Sequence, residues 1–169
     1  VHAELLEALR GRLDLQLLRR DDEHSLEIQL PFLQVALPPF KLLPIMVADQ
    51  SLAFCRRLGV AIGDILSERN ETALLVASTD LSHFHNYAQA RRLDGAVIER
   101  IEAYDTAGLA DVLDSGQAEA CGGGPVIAVM EAARRLGAGR AQILHQANSG
   151  DVTGDRQRVV GYAAGVVLR

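Results

Sequence analysis

Apolar positions along the chain recur in two rhythms. At three- and four-residue spacing they fall on Leu5, Leu6 and Leu9, then on Leu26, Leu30, Leu33 and Leu37. The same spacing returns at Leu52, Cys55, Leu58, Ile62 and Leu66, and at Leu93, Val97 and Ile101. One apolar stripe per helix is what that period produces, so helices are predicted over 1–9, 24–37, 51–68 and 88–101. Two further helices are predicted over 106–113 and 126–136, the latter packing through Val129, Met130 and Ala133. Asp22, Asp49 and Asp105 are the expected amino-end caps, and Gly11 and Gly137 the expected stops. Pro31 falls inside the second helix and predicts a kink there, and Pro38-Pro39 ends it.

The second rhythm is that of strands. Residues 13–18 alternate loosely, and 40–47 do so around Pro44, which suggests an edge strand or a bulge. Ala73-Leu-Leu-Val-Ala77 is a continuous apolar run of buried-strand length. Residues 140–146 and 158–168 read as two closely spaced strands, joined across the polar stretch 147–157. Helices alternating with strands predict a single α/β domain over 1–169, with a mixed central sheet flanked by helices.

Composition narrows the classes of function. With 49% hydrophobic and 23% charged residues, the chain has the profile of an ordinary globular domain. A net charge of -5 without a basic block argues against binding nucleic-acid backbone. Four Phe, three Tyr and no Trp leave little for a base-stacking platform. No apolar run is long enough to cross a bilayer as a helix, so no membrane partner is expected. Two cysteines, Cys55 and Cys121, are too few for a disulfide framework and suit a reducing, cytoplasmic compartment. Cys55 lies on a helical stripe and is expected in the core. The chain opens Val1-His2-Ala3 and runs at once into a helical pattern, which reads as the later portion of a longer polypeptide.

The candidate chemistry sits at element junctions. The run 73–77 opens into Ser78-Thr-Asp-Leu-Ser-His-Phe-His85, the place where a strand of an α/β sheet would meet a ligand crevice. Asp80 can orient an imidazole, ligate a metal or cap a helix. His83 and His85 are expected to take different jobs, with Phe84 between them facing the core or a substrate wall. His24, expected at a helix start, suits a metal ligand or an acceptor, and equally an ordinary surface histidine. Cys121 precedes Gly122-Gly-Gly-Pro125, where bare backbone can approach a ligand and Pro125 suits the first position of a helix. His145 is expected at the core or its rim, and His2 carries no signal. None of these residues forms a compact zinc, EF-hand or phosphate-loop motif. A metal site assembled from separate loops and a Cys121 nucleophile paired with His83 or His24 both stay open.

Four stretches together carry a resemblance. Glu23-His-Ser-Leu-Glu-Ile-Gln-Leu-Pro-Phe32, Ser78-Thr-Asp-Leu-Ser-His83, Cys121-Gly-Gly-Gly-Pro125 and Gly161-Tyr-Ala-Ala-Gly165 resemble, in order, the Memo-like family. That family is similar in fold to the LigB-type, class III extradiol dioxygenases. The resemblance implies a non-haem metal, Fe(II) before Cu or Zn, with His24 and Cys121 as ligands and Asp80 and His83 beside it as acid/base groups. It implies that this chain is the carboxy-terminal two-thirds of such a domain. The amino-terminal part, which carries the family's first metal histidine, would then be missing. A small aromatic molecule or a peptide is the implied ligand, with a homo-oligomer left open. A dioxygenase-like oxidoreductase, a metal-containing phosphopeptide-binding or scaffold protein, and a metal- or Cys-dependent hydrolase are the three functions this resemblance leaves.

Overall fold

The computed structural model describes residues 1–18 and 24–169. The expected cap Asp22, and Glu23 of the first motif, lie outside the described residues. Seven helices and three strands occur among those described: α1 Ala3–Arg10, α2 Leu30–Ala36, α3 Leu52–Glu68, β1 His83–His85, α4 Tyr87–Glu102, α5 Thr106–Asp114, α6 Gly123–Arg135, β2 Arg140–Asn148, α7 Ser149–Thr153 and β3 Val159–Leu168.

The interior is built by helix packing. Helices α3 and α6 lie face to face, and Leu58, Ile127 and Met130 from this pair are fully buried with Leu109 of α5 and Val97 of α4. Gly59 makes the close approach of α3 to α6 possible. A Cβ there would collide with the Ala128 carbonyl oxygen and lie 2.7 Å from the Glu131 Cβ. At the rim of this interface the Thr106 hydroxyl donates to Glu131 at 2.5 Å, and Arg56 reaches the same carboxylate at 3.3 Å. Cys55 is buried in this core as expected; burial, then the charge of Asp49, pushes its thiol up to about 11.

Helix ends follow local chemistry, with some reassignments. Asp105 caps α5 by accepting from Gly108 N–H at 2.8 Å, as expected. Asp49 does not cap α3; Ser51 does, accepting from Phe54 N–H, while Asp49 accepts from Ser51 N–H one turn earlier. Pro31 causes no kink, because α2 begins at Leu30 and the proline sits in the first turn, where an N–H has no helical acceptor. Residues 24–29 form turns instead of the predicted longer helix. Helix α6 begins at Gly123, so Pro125 occupies its third position and not its first.

The sheet is three-stranded, in the order β1-β3-β2, and every pairing is antiparallel. The expectation of a mixed central sheet is corrected here. Strands β2 and β3 pair from Arg140↔Leu168 to Asn148↔Gly161, with α7 folded into their connection by a capping box between Asn148 and Asp151. His145 is exposed on β2, away from the core and its rim.

Segments 13–18, 40–47 and 73–77 are not strands. Among the described residues, the backbone of 73–77 makes no hydrogen bond, and Leu42 accepts one, from His2 N–H at 2.8 Å. Strand-like alternation cannot form a strand without a neighbour to pair with. The run 73–77 is therefore not buried: Leu74 and Val76 stand exposed along a groove of about 570 Å³, which Leu30, Leu33, Leu43, Ile45 and Val129 also line. The accessible surface is 10425 Å², against about 8,100 Å² for a compact monomer of this mass. The apolar groove is where part of that excess lies.

Candidate functional site

The stretch 78–85 crosses the edge of the sheet, and the backbone from Asp80 to His83 is held by named partners. The Ser78 hydroxyl donates to the Ser25 carbonyl at 2.7 Å and accepts from Gln29 at 3.1 Å, which docks the 24–29 turns onto it. Gly122 N–H donates to the Thr79 hydroxyl at 2.8 Å. Asp80 and Cys121 meet twice: Asp80 N–H donates to the Cys121 sulfur at 3.2 Å, and Cys121 N–H donates to the Asp80 carbonyl at 3.2 Å. Leu81 N–H and Ser82 C=O exchange hydrogen bonds with Gly161 at 2.9 Å each. Ser82 N–H donates to buried Asp94 at 2.9 Å, and His83 N–H donates to Glu119 at 3.3 Å.

Gly122 permits the approach of the cysteine segment. Its missing Cβ would sit 2.5 Å from the Ser78 carbonyl oxygen and 2.8 Å from the Thr79 Cβ. Behind it, Gln50 bridges the segment to α6, donating to the Cys121 carbonyl at 2.9 Å and accepting from Gly124 N–H at 2.8 Å. Cys121 is a free, exposed cysteine.

The two histidines have different partners, as expected. His83 Nε2 lies 3.5 Å from Asp80 Oδ2, and His85 Nε2 lies 2.8 Å from Glu119 Oε1. Burial alone pushes the Glu119 carboxyl up. The His85 ring and the His83 N–H outweigh it, and the net lies below the ordinary value. Phe84 between them does not enter the core. Its φ is +62°, its side chain is 63% exposed, and the register of β1 against β3 shifts there. A left-handed backbone at a bulky residue costs on the order of 1 kcal/mol or more and persists only where neighbours hold it. The Arg158 guanidinium covers the exposed ring at 5.1 Å. Tyr162, next to Gly161, has its phenol raised above 10 by burial and then by the charge of Asp80.

Of the residues singled out from the sequence, Asp80, His83 and Cys121 come together. His24 is exposed at the start of the turns docked on Ser78, and its carbonyl accepts from Ile28 N–H at 3.2 Å. Among the described residues the Cys121 sulfur contacts Thr79 and Asp80 and no histidine, so the Cys/His nucleophilic pair is not formed. Thiolate and imidazole donors suit a borderline-soft metal such as Fe, Cu or Zn. Among the described residues, however, no three His, Cys, Asp or Glu side chains gather as a metal-holding cluster. The fit to a metal is therefore one of donor type and not of a completed shell.

Sequence reasoning missed Glu119, Asp94 and Gln50. Glu119 stands two residues before Cys121 as His85 stands two after His83, a symmetry that becomes meaningful only when the two segments lie side by side. Asp94 and Gln50 carry no local signal at all.

These features define a helix-rich α/β domain in which Cys121 meets the Asp80 backbone and the Asp80 carboxylate faces His83 at the edge of an antiparallel sheet. The Memo-like protein family model matches residues 1–166, and the chain belongs to that family. A MEMO1 family protein of Methanosarcina mazei is 40% identical over 169 residues, covering 99% of this chain and 63% of the relative. One from Methanopyrus kandleri is 40% identical over 160 residues, covering 94% of this chain and 56% of its own length. One from Nitrosopumilus maritimus is 41% identical over 143 residues, covering 84% and 51%. The chain thus spans less than two-thirds of the length of these relatives. No helix among the described residues is long and apolar enough to cross a membrane.

Proposed function

We propose that this protein is a metal-dependent, dioxygenase-like oxidoreductase whose site lies at the Asp80–Cys121 junction. The observation that carries this reading is the double contact between Asp80 and Cys121, with His83 3.5 Å from the same aspartate. An exposed sulfur, a carboxylate and an imidazole on one edge supply both a soft ligand and a proton-handling pair. In this reading His24 and Cys121 hold the metal, Fe(II) before Cu or Zn, and the metal would supply the site for oxygen and substrate binding. Asp80 orients His83, and His83 takes or delivers a proton on a small aromatic substrate. An exposed Cys121 stays reduced in the cytoplasm, which is where this chemistry belongs.

Two ligands do not complete a site, and the relatives are longer than this chain. The reading therefore places a further histidine ligand on polypeptide outside these 169 residues, in an amino-terminal segment that also covers the apolar groove. Backbone at 73–77 that makes no hydrogen bond among the described residues, beside exposed Leu74 and Val76, favours such a covering by strand addition. A LigB-like sheet is the architecture that addition would produce.

The test is metal analysis of the full-length protein purified anaerobically, with O₂ uptake measured on a panel of catechols. Bound iron that is lost in both His24→Ala and Cys121→Ala, together with O₂ uptake, is the expected result. No transition metal, or metal content unchanged in both variants, overturns the site. Metal without O₂ uptake favours a metal-containing phosphopeptide-binding or scaffold protein, and amide release without O₂ consumption favours a hydrolase.

A further inference from the structure

Glu119 makes two contacts that no motif accounts for, and both are to β1. Its Oε2 accepts from His83 N–H at 3.3 Å and its Oε1 meets the His85 ring at 2.8 Å, so one carboxylate grips the residues on either side of Phe84. Between those two grips the chain adopts the left-handed turn at Phe84, and the β1–β3 register shifts. A bulge of this kind re-aims the side chains that flank it. Here it leaves the His83 ring toward Asp80 and turns the His85 ring to Glu119. Glu119 itself is anchored by the segment that carries Cys121, whose N–H is bound to the Asp80 carbonyl. The carboxylate therefore ties the thiol-bearing segment to the imidazole-bearing strand.

We infer that Glu119 is a positioning residue: it clamps the Phe84 bulge through His83 N–H and the His85 ring, and thereby sets His83 against Asp80. This rests on the reading that His83 is the proton-handling group of the site. The geometric part stands without metal or turnover. Asp94 supports the same segment from beneath through Ser82 N–H, and Arg158 covers the Phe84 ring from outside, but neither reaches both sides of the bulge. Without the clamp, a bulky residue at positive φ has reason to relax, and the His83 ring loses its bearing.

The experiment uses the metal-free 169-residue chain and four forms: wild type, Glu119→Ala, Glu119→Gln, and Glu119→Ala combined with Phe84→Gly. Amide exchange at His83, the intraresidue HN–Hα NOE at residue 84 and the alkylation rate of Cys121 are followed by NMR and mass spectrometry. Glu119→Ala is expected to speed His83 amide exchange about 10- to 100-fold, the loss of a hydrogen bond to a charged acceptor. It should also weaken the NOE that marks positive φ at Phe84 and change the Cys121 alkylation rate. Glu119→Gln retains an acceptor for His83 N–H and a polar group for the His85 ring, and should stay within tenfold of wild type in exchange.

Phe84→Gly in the Glu119→Ala background is the decisive rescue, since glycine takes the left-handed conformation without strain. It should restore the wild-type Cys121 alkylation rate. His83 exchange unchanged in Glu119→Ala, or a double variant no closer to wild type than the single one, overturns the clamp. Should Glu119→Ala not fold, His85→Ala removes the other half of the grip, and an unaltered NOE at Phe84 in that variant overturns it equally. Full-length protein that fails to bind metal, beside the expected rescue in these variants, would sink the oxidoreductase reading and leave the clamp standing.

Discussion

Asp94 offers the clearest test of how the site segment is held. Its carboxylate is buried on α4 and accepts from Ser82 N–H at 2.9 Å, while Ser82 itself has no exposed surface. Gly161 backs directly onto the same carboxylate. Asp94→Ala therefore strands a buried N–H, which costs about 1–3 kcal/mol. Relief from burying a carboxylate offsets part of this, so the lower half of that range is expected, about 1–2 kcal/mol. For a chain of this length each kcal/mol lowers Tm by roughly 2–4 °C, giving a drop of about 2–8 °C. Thermal unfolding followed by circular dichroism measures this, and amide exchange at Ser82 reports the same loss locally. Asp94→Asn keeps an oxygen in place and should recover at least half of the drop. A Tm within 1 °C of wild type for Asp94→Ala, with Ser82 still protected, would refute the reasoning. So would an Asp94→Asn variant as unstable as Asp94→Ala.

Three further outcomes follow from individual environments. Ser82 Oγ is the one buried side-chain polar atom without a hydrogen-bond partner among the described residues, so Ser82→Ala should leave urea stability unchanged or raise it by up to about 1 kcal/mol; a loss above that size would show that the hydroxyl is satisfied. Iodoacetamide at pH 8 should label exposed Cys121 at least about 100-fold faster than Cys55, whose thiol is both buried and raised to about 11; comparable labelling seen by peptide mass spectrometry would contradict the packed core. Asp151 is held below its ordinary carboxyl value of 3.8 by the Tyr87 hydroxyl and then by Asn148 N–H. Its contribution to stability is present above that value and fades as pH falls through the lower folded value, so the Tm difference between wild type and Asp151→Asn should be visible at pH 6 and shrink below pH 4. A difference that grows on acidification would reverse the sign.

What the sequence determined by itself was local. The 3.6-residue stripes located α1, α3, α4, α5 and α6 to within a few residues, because those helices are stabilised by one apolar face meeting a core. Asp105 at α5 and Gly137 after α6 were equally legible, since capping depends on neighbours in the chain. The nearness of Asp80 to both His83 and Cys121 was expected from the resemblance of their motifs to the Memo-like family.

Tertiary structure decided the rest. Segments 13–18 and 40–47 have the alternation of strands and 73–77 an apolar run of strand length, yet among the described residues none pairs, because a strand exists only when another backbone supplies its hydrogen bonds. The grip of Glu119 on both flanks of the left-handed bulge at Phe84 and the support of Asp94 beneath Ser82 join residues 12 to 36 positions apart. Periodicity is blind to such contacts: they arise from where α4 and the loop before α6 place their carboxylates once the core has closed.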